Sequence, residues 1–236
     1  MPLVKAKGIN LRSIKVGEAD KIITIFSREL GKISAIAKGS RKPKSKFGGR
    51  LEVFSYNDYF LATGKSLYIV NQVETIETFY GIKDISAASF LVRLAGASID
   101  NGQKNTRLFD LLLSSLKALA GGADPLTLRV AFEAGLAEIE GFFPQLKGCV
   151  SCKKPVRKEP ESVTFNHTLG GLLCSRCSGK GGEKIPYRLV KMIGQVSSRW
   201  IEGPSSFSLD PGDAEKLDLL LKTFISEHIG KDVRNW

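Results

Sequence analysis

The sequence predicts an α+β protein: an N-terminal five-stranded β-barrel followed by an α-helical domain with an inserted four-cysteine, zinc-ribbon-like motif. Three observations carry this expectation. Short apolar runs rich in β-branched residues and punctuated by Gly fill the first third, as strands require. Beyond Tyr80, apolar residues recur at spacings of three and four, the period of a helix with one buried face. All four cysteines fall in one loop-rich interval as two C-x2-C pairs. The expected division is 1–80 for the barrel and 81–236 for the helical domain, with the cysteine motif in 142–182.

The first strand covers residues 4–16, where Val4, Ala6, Gly8, Leu11, Ile14 and Val16 are separated by Lys and polar residues. Gly17-Glu18-Ala19-Asp20 is a turn. Residues 21–26 and 32–37 are strands on either side of Glu29-Leu30-Gly31. A fourth strand is expected over 51–61, and a fifth over 66–77 after the turn Thr63-Gly64-Lys65. Five antiparallel strands that close on themselves make a small barrel, and the OB-fold is the member of that class that commonly holds nucleic acid. SH3-like barrels share the strand count, and periodicity does not separate the two.

In the helical half, Ile85, Ala88, Val92, Ala95 and Ile99 share one face, ending at Asp100-Asn101-Gly102. Leu108, Leu111, Leu112, Leu116 and Leu119 define a second helix, stopped by Gly121-Gly122. Asp124-Pro125 opens a third, with Asp as N-cap and Pro in the first turn, carrying Val130, Phe132, Leu136 and Ile139 to Gly141. Leu189, Ile193, Val196 and Trp200 line a fourth. Asp210-Pro211 opens the last, whose Leu217, Leu220, Leu221, Phe224 and Ile225 are spaced for burial.

Charge is distributed unevenly. The chain has 35 Lys and Arg against 24 Asp and Glu, a formal +11, yet residues 1–50 hold thirteen of the cations and three of the acids. That stretch is therefore +10 and the other 186 residues +1. A one-ended excess points to a polyanion-binding face. The loop 38–50 concentrates it: Lys38, Arg41, Lys42, Lys44, Lys46 and Arg50 stand among Pro, Ser and Gly with no acid. Such cations release counterions from a phosphate backbone and bind with little sequence preference. Phe47, outside any alternating pattern, is the candidate to stack on unpaired bases, whereas Phe26 and Tyr56 are assigned to the core.

Cys149 and Cys152, then Cys174 and Cys177, are two knuckles separated by twenty-one residues. Four thiolates so spaced close a tetrahedron around Zn2+ and leave no open coordination position, which makes the expected metal structural. No thioredoxin-like strand-and-helix context surrounds either pair. His167 and His228 lack a nearby nucleophile in the pattern, no phosphate-binding P-loop occurs, and the acids are scattered, so the sequence supports no catalytic constellation. No apolar run approaches the ~18–20 residues of a membrane span, and the N-terminus lacks a signal core. A cytoplasmic location is expected.

These residues resemble the bacterial RecO family of recombination mediators, proteins of DNA repair. The resemblance rests on Gly17-Glu18-Ala19-Asp20-Lys21-Ile22-Ile23-Thr24-Ile25-Phe26-Ser27, Leu30-Gly31-Lys32 and Ala37-Lys38-Gly39-Ser40-Arg41, then Gly49-Arg50-Leu51, Gly141-Phe142-Phe143-Pro144 and the two knuckles. It implies an N-terminal OB-fold and a non-enzymatic activity. That activity would be binding single- and double-stranded DNA, annealing complementary strands and, with RecR, helping RecA replace single-strand-binding protein. It further implies docking of the C-terminal tail of single-strand-binding protein on the helical region. Lys38, Arg41, Lys44 and Lys46 match the family's DNA-contact region. Two other classes share some of these features: a zinc-containing RNA-binding module of translation or ribosome assembly, and a zinc-dependent nucleic-acid hydrolase, which would need an open metal position.

Overall fold

Strands β1 (Leu3–Val16), β2 (Asp20–Ser27), β3 (Gly31–Ala37), β4 (Tyr56–Ala62) and β5 (Tyr68–Glu77) close into a barrel in the order β1-β2-β3-β5-β4. The structure is a computed structural model describing residues 2–79, 81–156, 161–199 and 208–236, with backbone alone for 197–199. Trp200 lies outside the described residues. The β3–β5 pairing is parallel and the other four are antiparallel. This is the five-stranded OB arrangement.

β1 can serve two neighbours because it is long. It pairs with β4 along Leu3–Ile9 and with β2 along Gly8–Val16, and an irregularity between Asn10 and Arg12 lets it bend. Gly8 sits where the two pairings overlap, and a Cβ there would lie 2.3 Å from the Ile25 side chain. Alternate residues Ile23, Ile25, Ile33, Ala35, Ala37, Tyr59, Leu61, Val70 and Val73 fill the interior.

The fourth strand starts at Tyr56 and not at residue 51 as the sequence suggested. Residues Gly48–Leu51 instead form a short 3-10 turn, and Phe47 just before it and Leu51 at its end both belong to the barrel core. The fifth strand starts at Tyr68, after a tight turn in which a Cβ on Gly64 would meet the Leu67 carbonyl at 2.1 Å.

The chain forms two compact units, Met1–Gly122 and Ala123–Trp236. The first contains, besides the barrel, α1 (Ile85–Ser98) and α2 (Thr106–Ala120), N-capped by Asp84 and Asn105. The Phe109 ring of α2 meets Phe26 and Tyr56 edge-on at centroid distances of 5.5 and 6.0 Å. The Lys32 ammonium donates to the carbonyl of Gly96 at 2.7 Å and to that of Ile99, where the C-terminal end of α1 favours a cation. Gly31 beside it has φ +72, and a Cβ there would be 2.1 Å from the Gln103 carbonyl. Lys32 is thus held structurally.

The second unit comprises α3 (Pro125–Ile139), the sheet β7-β6-β8 formed by β6 (Ser162–Asn166), β7 (Gly171–Leu173) and β8 (Glu183–Pro186), α4 (Tyr187–Arg199) and α5 (Pro211–Ile229). Asp124 and Asp210 cap α3 and α5 ahead of Pro125 and Pro211. The interval 142–182, which reads as loop, therefore contains two strands.

Glu133 of α3 is fully buried near Arg129, Asp218 and Lys222. Asp218 pairs with Arg129 at 2.8 Å and with Lys222 at 2.9 Å. Burial first, and the Asp218 charge second, push the Glu133 carboxyl well above its ordinary range. A carboxyl raised in the folded state contributes its full stability below its unfolded value and loses it as pH rises through the folded one. Glu133→Gln keeps a neutral amide there. The variant is therefore expected to gain thermal stability relative to the parent as pH is raised from 5 to 9. A stability difference that stays constant across that range would contradict the assignment.

Candidate nucleic-acid interface and cysteine cluster

The basic loop is held at three places, each through backbone groups. At its start, the Gly39 N–H donates to the Asp20 carboxylate at 2.8 Å and the Arg41 N–H to the Ala19 carbonyl at 2.9 Å. The Arg41 guanidinium adds a bond to the Gly17 carbonyl at 2.9 Å. In the middle, Lys46 Nζ donates to the Asn71 carbonyl of β5 at 2.6 Å. At the end, a buried polar network takes over. Asn57 Nδ2 and Ser55 Oγ donate to the Arg50 carbonyl at 2.7 and 2.9 Å, and Asn10 Nδ2 to that of Glu52 at 3.1 Å. The Tyr59 hydroxyl donates to Asn10 Oδ1 and accepts from Asn57 Nδ2 at 2.9 Å. These converging bonds give the loop a fixed exit from the barrel.

Lys38, Arg41, Lys42, Lys44, Lys46 and Arg50 are all exposed. None forms an ion pair with an acid among the described residues, whereas Lys5, Lys21 and Arg28 pair with Asp58, Glu52 and Asp110. Six uncompensated cations on one short segment produce a positive field that a polyanion would neutralise.

Phe47 corrects the sequence expectation. Its side chain is 2 % exposed and belongs to the barrel core, so it is not available to stack on a base. It anchors the loop, and Lys46 Nζ lies 5.3 Å from its ring centroid. Phe47→Leu is expected to lower barrel stability by about 1 kcal/mol in a thermal melt. It should leave single-strand affinity unchanged. An affinity loss equivalent to a lost stack, ~1–3 kcal/mol, would restore the stacking role.

One residue was absent from the sequence-based site. Contacts of Arg41 with Gly17 and Ala19 put the basic loop against the β1–β2 turn, and exposed Lys15 lies two residues before that turn's Gly17. The loop between the first two strands is one that OB-folds use for oligonucleotides. Lys15's charge was countable in the sequence, but its proximity to the loop was not.

The structure brings the four cysteines together. Their Sγ atoms lie within 4.8 Å of one another, Cys152 and Cys174 are 3.7 Å apart, and all four are free thiols. Thiolates about 2.3 Å from a tetrahedral zinc are about 3.8 Å apart, so the cluster fits a metal ion of that kind. Burial raises the Cys149 thiol, but backbone N–H groups of Cys152, Cys174 and Ser151 aimed at its sulfur outweigh burial and hold it down to about 6. The knuckles are closed by the Cys149 N–H to the Lys154 carbonyl at 2.9 Å and the Cys177 N–H to the Cys174 carbonyl at 2.9 Å. His167 is outside the cluster and pairs with Glu183 at 3.0 Å. His228 bonds the Phe224 carbonyl through Nδ1 at 2.8 Å. No helix among the described residues is long and apolar enough to cross a membrane.

A family model described as "Recombination protein O N terminal" matches residues 1–79, and one described as "Recombination protein O C terminal" matches residues 81–236. Among curated relatives, the DNA repair protein RecO of Alkaliphilus metalliredigens is 36% identical over 236 residues, covering 97% of this chain and 95% of that protein. The proteins of the same name from Caldicellulosiruptor saccharolyticus and Acetivibrio thermocellus are 32% and 31% identical, covering 99% and 98% of this chain and 96% and 94% of theirs.

Proposed function

This chain belongs to the recombination protein O (RecO) family of DNA repair proteins, and we propose that it acts as a non-enzymatic recombination mediator. In this reading the loop 38–50 grips single- and double-stranded DNA, and neutralising two phosphate backbones at once promotes annealing of complementary strands. With RecR the protein helps load RecA onto DNA coated by single-strand-binding protein, whose C-terminal tail docks on the helical region. It works in the cytoplasm, at the nucleoid. Cys149, Cys152, Cys174 and Cys177 hold a structural Zn2+.

One observation carries the reading: six exposed cations without an acid partner among the described residues, on a loop fixed to an OB barrel. Annealing makes and breaks no covalent bond, so charge neutralisation suffices for it. The match of both halves to one DNA-repair family favours DNA over the RNA-binding alternative. Four sulfur ligands leave no position for a hydrolytic water.

The test is annealing of complementary oligonucleotides coated with single-strand-binding protein, read on a native gel for duplex and on a denaturing gel for strand length. The chain is expected to accelerate duplex formation and leave both strands at full length. No acceleration, or strand cleavage, would contradict the proposal.

A further inference from the structure

The sequence-wide charge count conceals a second basic region. Residues 146–184 hold eight Lys and Arg against three Asp and Glu, a local +5 offset by −4 over the chain outside 1–50 and this segment. Part of that charge converges on a cleft of about 600 Å³ beside the cysteine cluster, lined by Lys154, Arg176, Lys184, Ser162 and Thr164 among others. The cations reach it from three directions. Lys154 closes the first knuckle, Arg176 lies inside the second, and Lys184 is on β8. All three are exposed, and none forms an ion pair with an acid among the described residues.

The sheet explains why the cleft is polar. Thr164 of β6 pairs with Leu173 and Lys184 on either side, so these residues leave the same face, and Ser162 joins them two residues along. Val163 and Phe165 leave the other face, and Phe165 meets Phe224 of α5 at 5.9 Å between ring centroids. One face is committed to the core. The other presents Ser162, Thr164 and Lys184, with Leu173 buried beside them, next to the two knuckles.

We propose that this cleft is a second nucleic-acid site, separate from the barrel loop, that takes the phosphodiester backbone of a strand. Three cations and neutral hydroxyl donors match consecutive phosphates, and the volume exceeds what one phosphate fills. No aromatic side chain among the described residues lines it, so the cleft offers contact to the backbone independent of sequence. An annealing protein must hold two polyanions, and a cationic cleft distinct from the first grip supplies the second hold. The inference rests on the DNA-binding reading above.

The test uses the full chain and a labelled oligo-dT, with affinity measured across a salt series. Three lost contacts to a single strand should reduce the slope of log affinity against log salt by about 2 in Lys154→Ala/Arg176→Ala/Lys184→Ala. Energy transfer between two differently labelled, non-complementary strands held by the protein should fall with it. Lys154→Arg/Arg176→Lys/Lys184→Arg, which keeps the charges, should restore both, and this separates the effect from misfolding. An unchanged slope and unchanged energy transfer in the alanine variant overturn the cleft, while a reduced slope in a barrel-loop variant leaves the first site standing. If the parent chain binds oligo-dT without salt dependence, both sites fall together.

Discussion

Changing Cys149 and Cys152 together to Ser is expected to unfold the sheet β7-β6-β8 and expose the segment between the knuckles to protease. Strands of three to five residues do not persist without other support. Here the support comes from the sulfur cluster and from one apolar face, where Phe165 and Phe224 meet. Structural zinc in small knuckle domains contributes an apparent ~10–16 kcal/mol at neutral pH, more than the stability of most domains. The helix packing that remains in this unit reduces the net loss below that figure. Trypsin should cleave the variant after Lys153 and Arg176 under conditions where the parent resists, and metal analysis should find one zinc per parent chain. The compact unit Met1–Gly122 contains none of the ligands and should keep its melting transition. A double variant as protease-resistant as the parent, with no metal in either, would show that the thiols sit together for another reason.

Neutralising the barrel loop should have the largest effect on binding. Replacing Lys38, Arg41, Lys44 and Lys46 with Ala removes four cations, and each phosphate contact to a single strand contributes about 0.7 to the slope of log affinity against log salt. The slope should therefore shrink by about 3, which corresponds to a few hundredfold weaker binding at 0.1 M salt, converging on the parent's affinity as salt nears 1 M. Stability should change little, because these side chains lie on the surface. The exceptions are Arg41, whose guanidinium bonds the Gly17 carbonyl, and Lys46, whose bond to the Asn71 carbonyl ties the loop to β5. Lys46→Arg separates the two contributions, since it keeps the charge near that carbonyl. Equal slopes for parent and quadruple variant would place the binding face elsewhere.

Much of this was legible from residue pattern alone. Alternation located the strands, and Asp-Pro pairs located the starts of α3 and α5, because capping and proline geometry are local. The two C-x2-C pairs identified the cysteine cluster for a similar reason, since each knuckle is fixed within a few residues. Long-range facts were not legible. Phe47 reads as a loop residue because burial depends on where residues 47–51 cross the barrel, which no local period encodes. Lys32 counts towards the N-terminal charge excess until the end of α1 is placed beside it. The strands β6 and β7 are too short to show alternation, so the cleft they support was invisible, and its cations were hidden by acids elsewhere in the chain. The change of texture near residue 80 marks where strands give way to helices, whereas the packing of α1 and α2 within Met1–Gly122 becomes apparent only from contacts such as Phe26 with Phe109.

The most direct test of the barrel grip is chemical footprinting of lysine amines with and without saturating single-stranded DNA, read by mass spectrometry. Lys38, Lys42 and Lys44 should acetylate several-fold more slowly when DNA is bound, while Lys83 and Lys104, exposed on the same unit but away from the loop in sequence, should keep their rates. Uniform rates across all five lysines under saturating DNA would contradict the account.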